Sequence, residues 1–249
     1  MRKNKRQEII LREIDLHNKV FSVELSEQLK VSDDTIRRDL HELAKDGKVI
    51  KVHGGAISKS FGSPFNNDST VYALEAKRKI AEKTVSLIKN NMIVLTEGGT
   101  TITELAKIIP NSMKATFITI SPQVAITLTQ HENITVIGIG GKLVKNANLY
   151  TGASVVNQLS DIKADLCLLG ANAFSFEEGL TDHDWEIVQV KKALIRSAKK
   201  SAVLSISEKL NTAKWLNICD AAAIDYLITE LDPSDYNLQG FKQKDISVL

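Results

Sequence analysis

Two groups of residues have types and spacing suited to chemistry. In the first, Arg37 and Arg38 are adjacent, and Lys48, Lys51 and His53 follow within sixteen positions of Arg37. Adjacent guanidinium groups on the free face of a helix, flanked by further basic groups, suit contacts to base edges and phosphates in a DNA major groove. The same arginines would serve equally as a solvated face pairing with Asp34 and Asp39. In the second group, Thr96-Glu97-Gly98-Gly99-Thr100-Thr101 lies where an apolar run gives way to a helical pattern. Glycines admit close approach to a ligand, a helix start offers free amides, and two hydroxyls add donors, which together make a cradle for a phosphate or other anion. A plain glycine turn with a threonine cap would have the same sequence.

The elements that must hold the first group are legible. Ile10, Ile14 and His17 recur at helical spacing in residues 4–18. Ser22 suits the cap of a second helix whose Val23, Leu25 and Leu29 turn inward. Lys30-Val31 forms a short connection, and Ser32 caps a third helix with Asp33 and Asp34 in its first turn, where the helix dipole favours anions. Ile36, Leu40 and Leu43 give that helix one buried stripe, so Arg37, Arg38 and His41 point away from it. Gly47 ends the helix, and residues 48–57 read as two short strands with a turn, a wing beside the third helix.

Residues 58–73 concentrate breakers and read as a linker. Beyond them, strand-like runs at 93–96, 117–120, 136–139, 166–169, 202–206 and 226–229 alternate with helical patterns at 75–90, 100–109, 122–130 and 184–199. Such spacing needs crossover connections, so a mainly parallel sheet covered on both faces is expected. Its strand ends, Thr96–Thr101, Thr119-Ile120-Ser121, Gly138–Lys142 and Gly170-Ala171-Asn172, should converge on one crevice. The segment after Pro233 is weakly patterned.

Composition bounds the function. With 43% hydrophobic and 25% charged residues, the chain has material for a packed core. Cys167 and Cys219 are too far apart for a CxxC site and fit a reducing compartment. No stretch approaches the eighteen or so apolar residues of a membrane span, so no membrane contact and a cytoplasmic location are expected. The formal charge of +2 says nothing by itself about nucleic acid, although all of the excess falls in residues 1–57. Gly138-Ile139-Gly140-Gly141-Lys142-Leu143 lacks the third glycine of a dinucleotide fingerprint and is not a Walker A loop, so no cofactor is indicated. No metal site and no catalytic set are read either. His131 and His183 read as surface or hydrogen-bonded histidines. The acidic cluster Asp182, Asp184 and Glu186 reads as helix-dipole complementarity, and Trp185 and Trp215 as core or interface anchors.

Val31-Ser32-Asp33-Asp34-Thr35-Ile36-Arg37-Arg38-Asp39-Leu40, with Leu43, Gly47 and Val52-His53-Gly54-Gly55-Ala56, closely resembles the helix-turn-helix of the DeoR family of bacterial transcriptional regulators. The resemblance implies a winged domain over residues 3–58 whose recognition helix opens near Ser32, with Ser22, Ser32, Thr35, Arg37, Arg38, His41, Lys48, Lys51 and His53 as the DNA-contacting set. A linker follows over 59–74. Residues 75–232 resemble the family's sugar-phosphate-sensing domain, similar in fold to ribose-phosphate isomerases and CoA transferases, and 233–249 form a tail.

Within the sensing domain, Glu97-Gly98-Gly99-Thr100-Thr101 resembles the family's Asp-Ser-Gly-Thr-Thr phosphate loop, and Thr119-Ile120-Ser121 its Thr-Asn-Ser. Gly140-Gly141-Lys142, Gly170-Ala171-Asn172-Ala173, Lys191 and Lys209 fit further motifs. These resemblances imply an effector site of Glu97, Gly98, Gly99, Thr100, Thr101, Thr119, Ser121, Gly140, Gly141, Lys142, Gly170, Asn172, Lys191 and Lys209. Ile120, Ala173, Ile206 and Glu208 depart from the family pattern, which points to a less polar or differently substituted phosphorylated ligand, or to weak binding. The implied function is a repressor of a sugar catabolic operon that binds operator DNA as a dimer or tetramer and responds to a phosphorylated sugar. The alternatives are an isomerase- or CoA-transferase-like enzyme with a DNA-binding head, and a regulator with a degenerate sensor.

Overall fold

The computed structural model describes residues 1–17, 19–59, 71–144 and 147–249. Most of the expected linker, residues 60–70, lies outside them. The described chain falls into two compact units, the first within Met1–Tyr72 and the second made of Ala73–Val144 with Asn148–Leu249.

The first unit runs α1 (Lys3–His17), β1 (Lys19–Phe21), α2 (Ser22–Leu29), α3 (Asp33–Lys45), β2 (Val49–Val52) and β3 (Gly55–Ser58). Its core joins Ile10 and Ile14 of α1, Leu25 of α2, and Ile36, Leu40 and Leu43 of α3 to Val20, Val49 and Ala56 of the strands. The stripe on α3 is therefore buried as its spacing predicts. The wing has a third strand that sequence pattern did not show: β1 pairs antiparallel with β3, in the sheet order β1-β3-β2. Gly55 permits this pairing, because a Cβ there would lie 1.9 Å from the Val20 carbonyl oxygen.

Two expectations fail in α2. Val23 is 56% exposed rather than turned inward. Ser22 is the first helical residue rather than the cap, a position held by Phe21, and its hydroxyl is buried without a partner among the described residues. Its amide bonds the Gly54 carbonyl at 2.8 Å, so Ser22 packs β1 onto the wing turn and does not present its hydroxyl to DNA.

The second unit opens with α4 (Leu74–Val85), β4 (Ile93–Thr96), α5 (Thr100–Lys107), β5 (Ala115–Thr119), α6 (Pro122–Leu128) and β6 (Ile134–Gly138). A hairpin of β7 (Lys142–Val144) and β8 (Leu149–Thr151) leads to α7 (Ala153–Ser160), β9 (Ala164–Gly170), β10 (Ala173–Ser175), β11 (Gly179–Asp182) and α8 (Trp185–Arg196). Then come β12 (Ala198–Leu204), β13 (Leu216–Cys219), β14 (Tyr226–Ile228), α9 (Gln239–Lys242) and β15 (Ser247–Val248). Seven parallel strands form one sheet in the order β15-β14-β12-β9-β4-β5-β6. Leu166–Leu169 of β9 are all buried, the pattern of a strand covered on both faces.

From β4 the chain moves outward through β5 and β6, then returns to the other side of β4 as β9. The order thus reverses between β4 and β9, and the crevice beyond the carboxyl ends of these two strands is where open α/β sheets bind ligands. Beside this sheet, β10, β11 and β13 form a small antiparallel sheet. Residues 233–249, set apart in the sequence as a tail, are built into the unit: β15 pairs with β14, and Leu238 and Phe241 are fully buried. Trp185 and Trp215, 64% and 69% exposed, are not core residues.

Candidate DNA-binding and effector sites

The basic surface of the first unit is organised by α3. Ser32 caps it, its Oγ accepting from the Thr35 amide at 3.3 Å and lying 2.8 Å from the Thr35 hydroxyl. Arg37 and Arg38 extend outward with side chains 64% and 78% exposed, paired one turn back with Asp33 at 2.8 Å and Asp34 at 2.6 Å. Exposed i,i+4 pairs of this sort are worth only about 0.3–0.5 kcal/mol, so a phosphate or base edge can displace them. Asp39, the third member of the Arg-Arg-Asp run, does not join this solvated face. It is buried and accepts from Arg6 Nη2 at 3.2 Å and Gln7 Nε2 at 3.3 Å. His41, Lys48, Lys51 and His53 are exposed. Of the sequence-predicted set, Ser22 alone is turned inside.

The second site begins at the switch between β4 and β9. Glu97 follows β4 directly and is buried; its Oε2 accepts from the Gly170 amide at 3.0 Å and its Oε1 lies 3.3 Å from Lys191 Nζ. Lys191, on the buried side of α8, also donates to Asp182 Oδ2 at 3.2 Å and to the Gly170 carbonyl at 3.0 Å. Asp182 Oδ1 receives Asn172 Nδ2 at 3.1 Å and the His183 amide at 2.8 Å. Lys209, in the turn after β12, donates to the Ala171 carbonyl at 3.0 Å. Glu97, Gly170, Asn172, Lys191 and Lys209 therefore meet, as the sequence predicts.

The charges in this cluster act on one another. Burial works against the Lys191 ammonium, but Glu97 and Asp182 outweigh it and hold the pKa above the ordinary lysine range. Burial also raises Glu97, against the pull of Lys191. Asp182 resists the same burial through Lys191, His183 and its hydrogen bonds, and stays below the usual range. Lys209 is the opposite case. Burial, then the like charges of Lys77 and Lys191, push it down to about 7.

The glycine loop lies beside this cluster in the chain. Gly99 takes φ +91 at the start of α5, whose first-turn amides have no helical acceptor. Gly98 is packed so closely that a Cβ would lie 2.5 Å from Leu149 Cδ2 and 2.8 Å from Ser121 Cβ. Thr101 is buried and Thr100 half-buried. The Thr119 hydroxyl donates to the Glu97 carbonyl at 3.0 Å and accepts the Ser121 amide at 3.1 Å, while Ser121 Oγ caps α6. These two residues shape the loop with their hydroxyls already engaged. Thr96 Oγ1, at the end of β4, is buried without a partner among the described residues.

Gly140, Gly141 and Lys142 stand apart from the charge cluster. Lys142 is exposed and paired with Glu186 at 2.8 Å, and Gly141 is needed for packing, since a Cβ would meet Val155 Cγ2 at 2.6 Å. Sequence reading missed Asp182, taken for a helix-dipole residue, and the buried Lys77, whereas His183 is hydrogen-bonded as expected, its Nδ1 2.8 Å from Asn172 Nδ2. Asp184 is the member of the acidic cluster that caps α8. Among the described residues, no group of histidines, cysteines or carboxylates is arranged to hold a metal, and no helix is long and apolar enough to cross a membrane.

Comparison with known proteins bears on both units. Residues 6–61 match the DeoR-like helix-turn-helix domain and residues 73–231 the DeoR C terminal sensor domain. The chain is 35% identical to the HTH-type transcriptional regulator GolR of Listeria innocua, over 90% of this chain and 89% of that protein. It is 32% identical to the HTH-type transcriptional repressor GlcR of Bacillus subtilis, covering 88% and 84%. It is 27% identical to the glycerol-3-phosphate regulon repressor of Escherichia coli, covering 94% and 93%. Among solved structures, ribose 5-phosphate isomerase A of Methanocaldococcus jannaschii aligns with a TM-score of 0.40 at 19% identity, over 54% of this chain and 53% of that one. The pairing of a winged DNA-binding unit with a matched sensor domain, shared along nearly the whole length of these regulators, makes this chain a member of the DeoR family of transcriptional regulators.

Proposed function

We propose that the chain represses an operon for the uptake or breakdown of a sugar or polyol, and that the phosphorylated form of that compound relieves repression. The observation that carries this reading is the cluster of Lys191, Lys209, Glu97 and Asp182 at the β4/β9 switch point, beside a glycine loop with free helix amides. Cations and helix amides at one strand-end crevice suit a phosphate. The relative named for the glycerol-3-phosphate regulon places glycerol 3-phosphate among the first compounds to test.

In this reading residues 3–58 bind operator DNA, with α3 in the major groove and Arg37 and Arg38 at base edges, while Lys48, Lys51 and His53 of the wing reach phosphates. Residues 75–232 sense the effector. One winged unit buries only about 600–1,000 Å² on DNA, so paired units on repeated half-sites, and hence a cytoplasmic homo-oligomer, are part of the proposal.

Isothermal titration of the full chain with glycerol, pentose and hexose phosphates tests the effector. Binding of a phosphorylated compound, with no binding of its unphosphorylated parent, is the expected outcome. Release of a labelled fragment from upstream of the chain's own operon should follow in the same concentration range. Equal affinity for phosphorylated and free sugar would overturn the reading. Light scattering tests assembly, and a monomer at micromolar concentration would remove that part.

A further inference from the structure

Lys209 reaches the crevice from a short support. Its Nζ donates to the Ala171 carbonyl at 3.0 Å, and it is the last residue of a single 3-10 turn, Ser207–Lys209, that follows β12. A lysine carries its ammonium on a flexible four-carbon stem, so the place of Nζ depends on how firmly the backbone beneath it is held. Ser207 opens the turn, and its amide has no acceptor inside it. That acceptor comes from the neighbouring strand. Glu230, two residues beyond β14, takes the Ser207 amide on its two carboxylate oxygens, at 3.1 and 3.0 Å, and the Ser207 hydroxyl on Oε1. Glu230 is itself held. The Thr229 hydroxyl donates to its Oε2 at 2.9 Å, and Lys83 of α4 donates to the carbonyls on either side of it, those of Thr229 at 2.8 Å and Leu231 at 2.7 Å.

From this arrangement we infer that Glu230 is a positioning residue for effector binding: its grip on Ser207 sets the turn from which Lys209 meets the phosphate. Hydrogen bonds to a carboxylate are about twice as strong as those between neutral groups, which suits an anchor that must hold one short turn in place. Among the described residues the hydrogen-bond partners of Glu230 are Ser207 and Thr229, so it acts on the crevice through the turn and not by contact with the cluster of Glu97, Asp182 and Lys191. The inference rests on the proposed phosphate site and adds to it a residue outside the crevice that governs its affinity.

Titration of the full-length protein with glycerol 3-phosphate and glucose 6-phosphate tests this as a double-mutant cycle. Glu230→Gln, equal in size but uncharged, is expected to weaken binding about tenfold. Ser207→Ala, which removes the hydroxyl contact and keeps the amide, should weaken it less. In Lys209→Gln, which binds more weakly from the start, adding either change should alter affinity by less than about twofold, because Glu230 acts through Lys209. A general loss of structure would instead lower affinity by the same factor in both backgrounds. Hydrogen exchange gives a second reading that needs no ligand: Glu230→Gln should speed exchange of the Ser207 and Lys209 amides and leave β4 and β9 protected. Unchanged affinity in Glu230→Gln, equal losses with and without Lys209, or unchanged exchange in the turn would overturn the inference and leave the phosphate site standing. Failure of both probes and of the wider phosphate panel to bind the wild type would overturn the site, and the role of Glu230 with it.

Discussion

Arg6 of α1 grips Asp39 of α3 with two guanidinium nitrogens, Nε on one carboxylate oxygen and Nη2 on the other. Both side chains are largely buried, at 11% and 3% exposure, and the contact raises the arginine pKa further, mainly through the hydrogen bonding to Asp39. The Arg-Arg-Asp run therefore divides its labour: Arg37 and Arg38 face outward, and Asp39 fastens the helix to the unit beneath it. Removing one partner of a buried pair leaves the other uncompensated, at a cost of about 3 kcal/mol. Asp39→Asn should accordingly lower hydrogen-exchange protection in α1 and α3 by about two orders of magnitude while leaving the parallel sheet unchanged. Unchanged protection in α1 would refute the fastening role.

The arginines beside it should behave in the opposite way. Their pairs with Asp33 and Asp34 are exposed, so Arg37→Ala or Arg38→Ala should shift the melting temperature little. Each should cost about 1–3 kcal/mol of operator affinity if it touches a base edge. Measuring gel-shift affinity and thermal unfolding on the same preparations separates the two effects. A variant that melts early and binds normally would reverse the assignment.

What was legible in the sequence was local. The cap at Ser32, the stripe Ile36, Leu40 and Leu43, and the apolar runs of the parallel sheet all announce themselves within a few positions, and the structure places them so. What was hidden depended on distant partners. β1 has three residues, too few for a pattern, and exists because β3 lies beside it. The strands β10, β11 and β13 have three or four residues each, and although β10 and β11 form a local hairpin, β13 reaches β11 from 34 to 39 positions further along the chain. Asp182 was misread because a helix begins three residues later, which gives an acidic residue a sufficient local reason to be there. Lys77 carries no local sign of its burial either, since it stands beside Arg78 and Lys79 near the start of the helical pattern at 75–90.

The loop should tolerate no side chain at Gly98. A methyl group would press on Leu149 Cδ2 at 2.5 Å and on Ser121 at 2.8 Å, and Ser121 is the cap of α6. Gly98→Ala is expected to lower the stability of this unit by about 1–3 kcal/mol, the usual cost of overpacking, and to weaken phosphate binding at the start of α5. Shortening the neighbour tests the cause. Leu149→Ala combined with Gly98→Ala should recover part of the stability, whereas purely additive losses would show that the contact is not responsible.

Lys209 should make the unliganded protein more stable as the solution turns mildly alkaline, while the thiols of Cys167 and Cys219, raised by burial, act in the opposite sense once free thiols ionise. The folded pKa of Lys209, about 7, lies below that of an unfolded lysine, near 10.4. Between these values the unfolded chain holds more protons than the folded one, so stability rises with pH across the interval and levels off on either side. Lys191 is shifted the other way, upward, and its contribution is complete below the unfolded value and lost only above it, so it does not oppose the trend. Glu97, raised by burial, acts from the acidic side, where an excess of protons on the folded chain lowers stability as pH increases. Comparing urea unfolding from pH 7 to 10 in the wild type and in Lys209→Met isolates the lysine, because Glu97, Asp182 and Lys191 remain in both. The wild-type curve should climb relative to the variant across that range. Parallel curves would mean that Lys209 is charged in the empty crevice.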